Sequence, residues 1–237
     1  MMLYQNTQFE TQKDLFEFLK KNKNELVAQK RAIIKQSDSF QYTQKKETQK
    51  SFFINNEIEA IQATIVMNTT NIMDSHDDVH IDGLWKKTIS ENKNIFHLRE
   101  HIMAFDSIIA SGKDISVYTQ KMSWEELGYN TKGETEALIF VSNMSKKRNE
   151  YMFQQYSNGY VNNHSVGMQY VKIALAINSE EYPEENEVWK KHIDKIANKE
   201  KAIEKGYFWA VTEAKLLEGS AVVIGSNPIT PTLSIEP

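Results

Sequence analysis

A serine, a histidine and a glutamate far apart in the chain have the right types for nucleophilic hydrolysis, and the stretch around the serine shows how they would have to meet. Val161-Asn162-Asn163-His164-Ser165-Val166-Gly167-Met168 reads as a strand. Alternation places residues 161, 163, 165 and 167 on one face and 162, 164, 166 and 168 on the other, so His164 points away from Ser165. A serine hydroxyl is a weak nucleophile until a base takes its proton, and that base must come from another segment. No Gly-x-Ser-x-Gly elbow surrounds Ser165, because Asn163 stands two residues before it.

Six histidines are available: His76, His80, His97, His101, His164 and His192. His97 and His101 fall in a predicted strand over 95–102, four residues apart and therefore expected to face the same way. Either has the chemistry of a base. Glu218 interrupts the apolar run Leu216-Leu217-Glu218-Gly219-Ser220-Ala221-Val222-Val223-Ile224, and a carboxylate in such a strand needs a partner or solvent. A histidine is such a partner. Glu213 competes for the role, but lies nearer the polar start of the strand. The cluster Asp74-Ser75-His76-Asp77-Asp78-Val79-His80 offers the rival chemistry of a metal-dependent hydrolase using His76, Asp78 and His80. It matches no defined metal motif, and no metal or cofactor is assigned.

The elements that must position these groups follow from periodicity. Residues 11–36 form an amphipathic helix pattern capped by Thr11 and Asp14. The polar stretch 37–50 reads as a linker, giving an N-terminal helical arm over 1–50 and a main domain over 51–237. Strands are expected over 58–67, 95–102, 108–118, 134–142, from 161 to 177, and over 207–224. A loop spans 68–83, a short helix 84–92, and a helix capped by Ser145 covers 146–157. A charged helical insertion runs over about 183–205 and stops at Gly206. Few βαβ alternations favour an α+β, mainly β fold: an antiparallel barrel with flanking helices.

Composition narrows the function class. The 237 residues carry a net charge of −4, which argues against a general nucleic-acid binder. No apolar run approaches the roughly 20 residues that span a bilayer, and no leader pattern opens the chain. With zero cysteines, disulfides, thiolate ligands and cysteine nucleophiles are excluded.

Three segments in one order resemble the prohead (capsid maturation) serine proteases of tailed phages, which are herpesvirus assemblin-like. Leu98-Arg99-Glu100-His101 resembles the family's histidine segment, and Gly159 to Met168 its Ser-x-Gly nucleophile strand. Glu213 to Val223, followed by Asn227-Pro228, resembles its Leu-x-Glu-x-Ser-x-Val strand. Asp78-Val79-His80-Ile81-Asp82-Gly83-Leu84 resembles the loop and helix before the histidine. The resemblance covers about residues 58–230 and departs from the pattern at Gly219 and after His101, where an Asp-Pro-like turn is missing.

This resemblance implies an assemblin-like barrel and a serine endopeptidase with Ser165 as nucleophile, His101 as base with His97 in reserve, and Glu218 orienting the imidazole. The oxyanion site would be backbone N–H groups or an arginine, with Arg148 one candidate. Implied substrates are the scaffold protein, the major capsid protein and the chain itself, inside a procapsid assembling in the bacterial cytoplasm. A homodimer or higher oligomer fits this setting; nucleic acid and membrane are not expected partners. The competing expectation is a catalytically inactive capsid-assembly protein of the same fold.

Overall fold

A computed structural model describes residues 9–33, 58–91 and 94–237. The expected linker at 37–50 and the boundary near residue 50 lie outside them. About 38% of the described residues are strand and 30% helix, a mixed α/β architecture. The expected closed barrel is not formed. Two open sheets take its place, and the second is not purely antiparallel.

The first sheet joins β1 (Ala60–Thr69), β5 (Ile115–Ser123), β6 (Glu134–Ser145) and β9 (Thr232–Glu236) in the order β5-β6-β1-β9, all antiparallel. The second is built on β8 (Tyr207–Ala221). One edge of β8 pairs antiparallel along its whole length with β7 (His164–Ile177). Its other edge takes two short parallel partners, β2 (Asp78–His80) and then β3 (Phe96–Arg99). β4 (Ile108–Ser111) closes that side against β3. Ile65, Met67, Leu138 and Phe140 of the first sheet and Val166, Met168 and Leu216 of the second join one buried cluster.

The helices cover what the sheets leave open. Thr11 caps α1 (Gln12–Lys21) in the expected reciprocal box with Asp14. The single helix expected over 11–36 breaks at Asn22, whose backbone N–H and side-chain amide both donate to Phe18 O. α2 (Lys23–Ala32) resumes from there. Phe16, Leu19 and Leu26 of this pair are buried with Leu175, Ile177, Tyr207 and Trp209, so the arm packs on the β7–β8 surface.

Other differences trace to turns. Gly112, at φ 56°, divides the strand expected over 108–118 into β4 and β5. Strand β6 runs on through Ser145, and Asn149 rather than Ser145 caps α4 (Glu150–Ser157) by accepting from Met152 N–H. The insertion is two helices, α5 (Pro183–His192) and α6 (Lys199–Lys205), divided by a 3₁₀ turn and stopped by left-handed Gly206. Lys86–Glu91 forms α3. Among the described residues, no helix is long and apolar enough to cross a membrane.

Candidate functional site

The register of β7 on β8 sets the site. Ser165 stands opposite Ser220 and Gly167 opposite Glu218. Residues paired across a ladder share a face, so Ser165, Gly167, Glu218 and Ser220 lie together at one end of the sheet. On the other edge of β8, Leu98 lies beside Ser220, and the chain turns back three residues later at His101. The turn is made by Glu100 and His101 at φ 53° and 59°, a left-handed pair that non-glycine residues seldom adopt. β3 therefore ends at Arg99. His97 and His101 do not share a face, contrary to the expectation from a strand over 95–102.

The turn brings the imidazole to the carboxylate. His101 Nδ1 lies 2.5 Å from Glu218 Oε1, and Ser220 Oγ donates to Glu218 Oε2 at 2.6 Å. A carboxylate only accepts, so Nδ1 carries a proton, and in the neutral imidazole Nε2 holds the lone pair. That Nε2 is buried and has no hydrogen-bond partner among the described residues. Glu218 is 1% exposed, with both carboxylate oxygens hydrogen-bonded. An imidazole oriented this way and stabilised as a cation by a buried carboxylate can accept a hydroxyl proton.

Gly167 explains how a glutamate fits here. A Cβ at this position would lie 2.0 Å from Glu218 Oε1 and 2.9 Å from its Cγ, so the bare backbone makes the space. On the opposite face, a Cβ at Gly219 would meet Phe140 at 2.7 Å and Met67 at 2.9 Å. That packing leaves no room for a side chain at 219.

His164 faces away from Ser165, as alternation requires, into a second polar group behind the sheet. Its Nδ1 lies 2.8 Å from Thr230 O, and a carbonyl only accepts, so the proton is on Nδ1. Its Nε2 and the Tyr156 hydroxyl are hydrogen-bonded at 2.9 Å. The same hydroxyl is hydrogen-bonded to His97 Nε2 at 3.0 Å, and His97 Nδ1 to Ser142 Oγ at 2.9 Å. His97 thus has both ring nitrogens engaged, on the other face from Ser165.

Burial, and next the charge of His164, push the His97 pKa well below its ordinary 6.5. The unfolded chain then binds a proton that the fold refuses, so this contribution to stability is complete above about pH 6.5 and falls as the pH drops below it. Unfolding free energy is expected to decline by about 1.4 kcal/mol per pH unit per proton in that range. Denaturant titrations from pH 8 to 5 should show this slope, flattened in His97→Gln; equal slopes would mean His97 titrates freely in the fold.

Glu213 pairs with Lys172 at 2.5 Å and Lys87 at 3.5 Å, away from any histidine. In the Asp/His cluster, Asp78 holds Lys30 and Tyr170, while His80 bonds Asn68 through Nδ1 and Tyr170 through Nε2. Asp74 accepts the N–H groups of His76 and Asp78, closing a turn. The would-be metal ligands are thus committed to one another and to the core, and no three such groups converge among the described residues. Arg148 donates to Ser111 Oγ at 2.8 Å, and no hydrogen bond ties it to Ser165, His101 or Glu218. Neither Tyr156 nor Ser220 carried a role in the expectations from sequence, although Ser220 is the serine of the Leu-x-Glu-x-Ser-x-Val strand. Ser220 had a readable signal, two residues from Glu218 on one strand face.

Comparisons with family models, with curated proteins and with solved structures returned no match.

Proposed function

We propose that the chain is a serine endopeptidase that cleaves scaffold or capsid protein, and itself, during maturation of a phage procapsid, on a fold akin to the assemblins. The observation that carries the hydrolase reading is the His101–Glu218 pair, with Nδ1 donating and Nε2 bare, at the sheet end where Ser165 faces Ser220. In this reading Ser165 Oγ attacks the scissile carbonyl carbon while its proton passes to His101 Nε2. The imidazolium, held by Glu218, returns the proton to the departing amine, and water repeats the sequence to release the acyl group.

A peptide substrate is further supported by the exposed apolar side chains in segments next to all three residues. Met103 and Phe105 follow His101, Val223 follows β8, and Tyr160 precedes β7; they are 64, 95, 75 and 69% exposed. Apolar side chains exposed in segments flanking a site suit the binding of another protein chain. The phage setting rests on the resemblance of the three segments. The inactive assembly protein draws support from burial, since Ser165 is 5% and His101 9% exposed.

Co-expression with the neighbouring capsid and scaffold genes tests both readings. Wild type is expected to truncate one or both substrates and Ser165→Ala to leave them whole. Identical products from the two would favour the assembly protein.

A further inference from the structure

We propose that Ser220 is a positioning residue that sets His101 for proton transfer, a role resting on the hydrolase reading above. Its hydroxyl is fully buried and makes two bonds, donating to Glu218 Oε2 at 2.6 Å and accepting His101 N–H at 3.1 Å. Since the proton goes to the carboxylate, the amide can only be bound by the oxygen's lone pair. With the Nδ1–Oε1 bond this closes a ring: His101 backbone, Ser220, Glu218, His101 side chain. The same residue is therefore gripped at its amide and at its imidazole.

The grip answers a specific need. Glu100 and His101 hold left-handed backbone angles, which are costly for non-glycine residues and persist only where surroundings enforce them. Ile102 N–H bonds Arg99 O across the turn, and Glu100 N–H bonds Ala221 O, but the bond to Ser220 Oγ is the one from His101's own amide. Ser220 also shares a ladder position with Ser165, so one residue touches the base and its carboxylate while standing opposite the nucleophile. Removing the hydroxyl leaves Glu218 one donor short, frees the His101 amide, and lets the turn relax with the imidazole attached to it.

The test compares wild type, Ser220→Ala and Ser220→Thr by two readings. The first is the rate of Ser165 labelling by a fluorophosphonate probe. The second is the far-downfield proton resonance of the His101–Glu218 bond, followed with pH, which needs no activity. Ser220→Ala is expected to label roughly a hundredfold more slowly, the scale of an ångström misplacement, and to lose the resonance at a folded circular dichroism spectrum. Ser220→Thr, keeping the hydroxyl, should restore both. A Ser220→Ala protein that keeps the resonance overturns the proposal, whatever the probe does. Absence of labelling in wild type at Ser165, with the resonance present there and lost in Ser220→Ala, would remove the hydrolase reading while leaving the grip on His101 in place.

Discussion

Gly167→Ala is expected to reduce the rate of Ser165 acylation to the level of a protein without Glu218, a loss on the order of 10⁴ by analogy with triads whose orienting carboxylate is disabled. The cause is space. Gly167 does not take a left-handed φ, so alanine suits its backbone, but the new methyl would fall 2.0 Å from Oε1 and 2.8 Å from Cδ of Glu218. Moving the carboxylate aside breaks its bonds to His101 and Ser220 together. Because it is buried, there is no solvent to receive it. A double-mutant cycle separates this route from general damage. If alanine at 167 acts through Glu218, adding it to Glu218→Ala should cost nothing further in probe labelling, a coupling equal to the single effect. Additive losses would show that Gly167 matters for some other reason.

That dependence was half legible in the sequence. Alternation alone put Ser165 and Gly167 on one face and turned His164 away, and the structure keeps that arrangement, because a strand's side-chain period admits no other. Glu218 stood out as the one charge in an apolar run. What alternation cannot supply is register between strands, and it is register that sets Gly167 against Glu218, 51 positions on, and Ser165 against Ser220, 55 positions on. Glycine in a strand signals close approach without saying of what.

The histidine segment shows the opposite failure. A strand over 95–102 placed His97 and His101 on one face, but two consecutive left-handed residues, neither of them glycine, end the strand at Arg99. Local propensity opposes that conformation. It is held by bonds to Ala221 O and Ser220 Oγ, which come from β8. The barrel expectation failed for a related reason: β2, three residues long, pairs parallel to β8 from within the loop expected over 68–83, and β3, four residues of the strand expected over 95–102, also runs parallel to β8. Strands that short carry little pattern of their own.

The other large effect expected concerns the arm. Lys30→Met should destabilise the fold by about 3–5 kcal/mol, the usual result of leaving a buried ion-pair partner uncompensated. Lys30 sits on α2 with its side chain fully buried against Asp78, whose side chain is buried as well. Its ammonium also lies 3.4 Å from His76 O and 5.4 Å from the centre of the Trp209 ring. On the far side, Asp78 accepts Tyr170 OH at 2.8 Å; burial, then this carboxylate, push the phenol well above its ordinary pKa, so it remains a donor. Methionine fills much of the lysine stem's volume and removes only the charge, which leaves Asp78 with a neutral partner. Because Asp78 opens β2, itself paired to Trp209 on β8, the lost bridge would loosen the seam between arm and sheet. Adding Asp78→Asn to Lys30→Met removes the stranded charge, and the double variant is expected to be more stable than Lys30→Met alone. Urea unfolding midpoints at pH 7 decide it. A midpoint unchanged in Lys30→Met would mean that the apolar contacts of Phe16, Leu19 and Leu26 hold the arm without the bridge, whereas recovery in the double variant would show that the cost lies in the buried carboxylate.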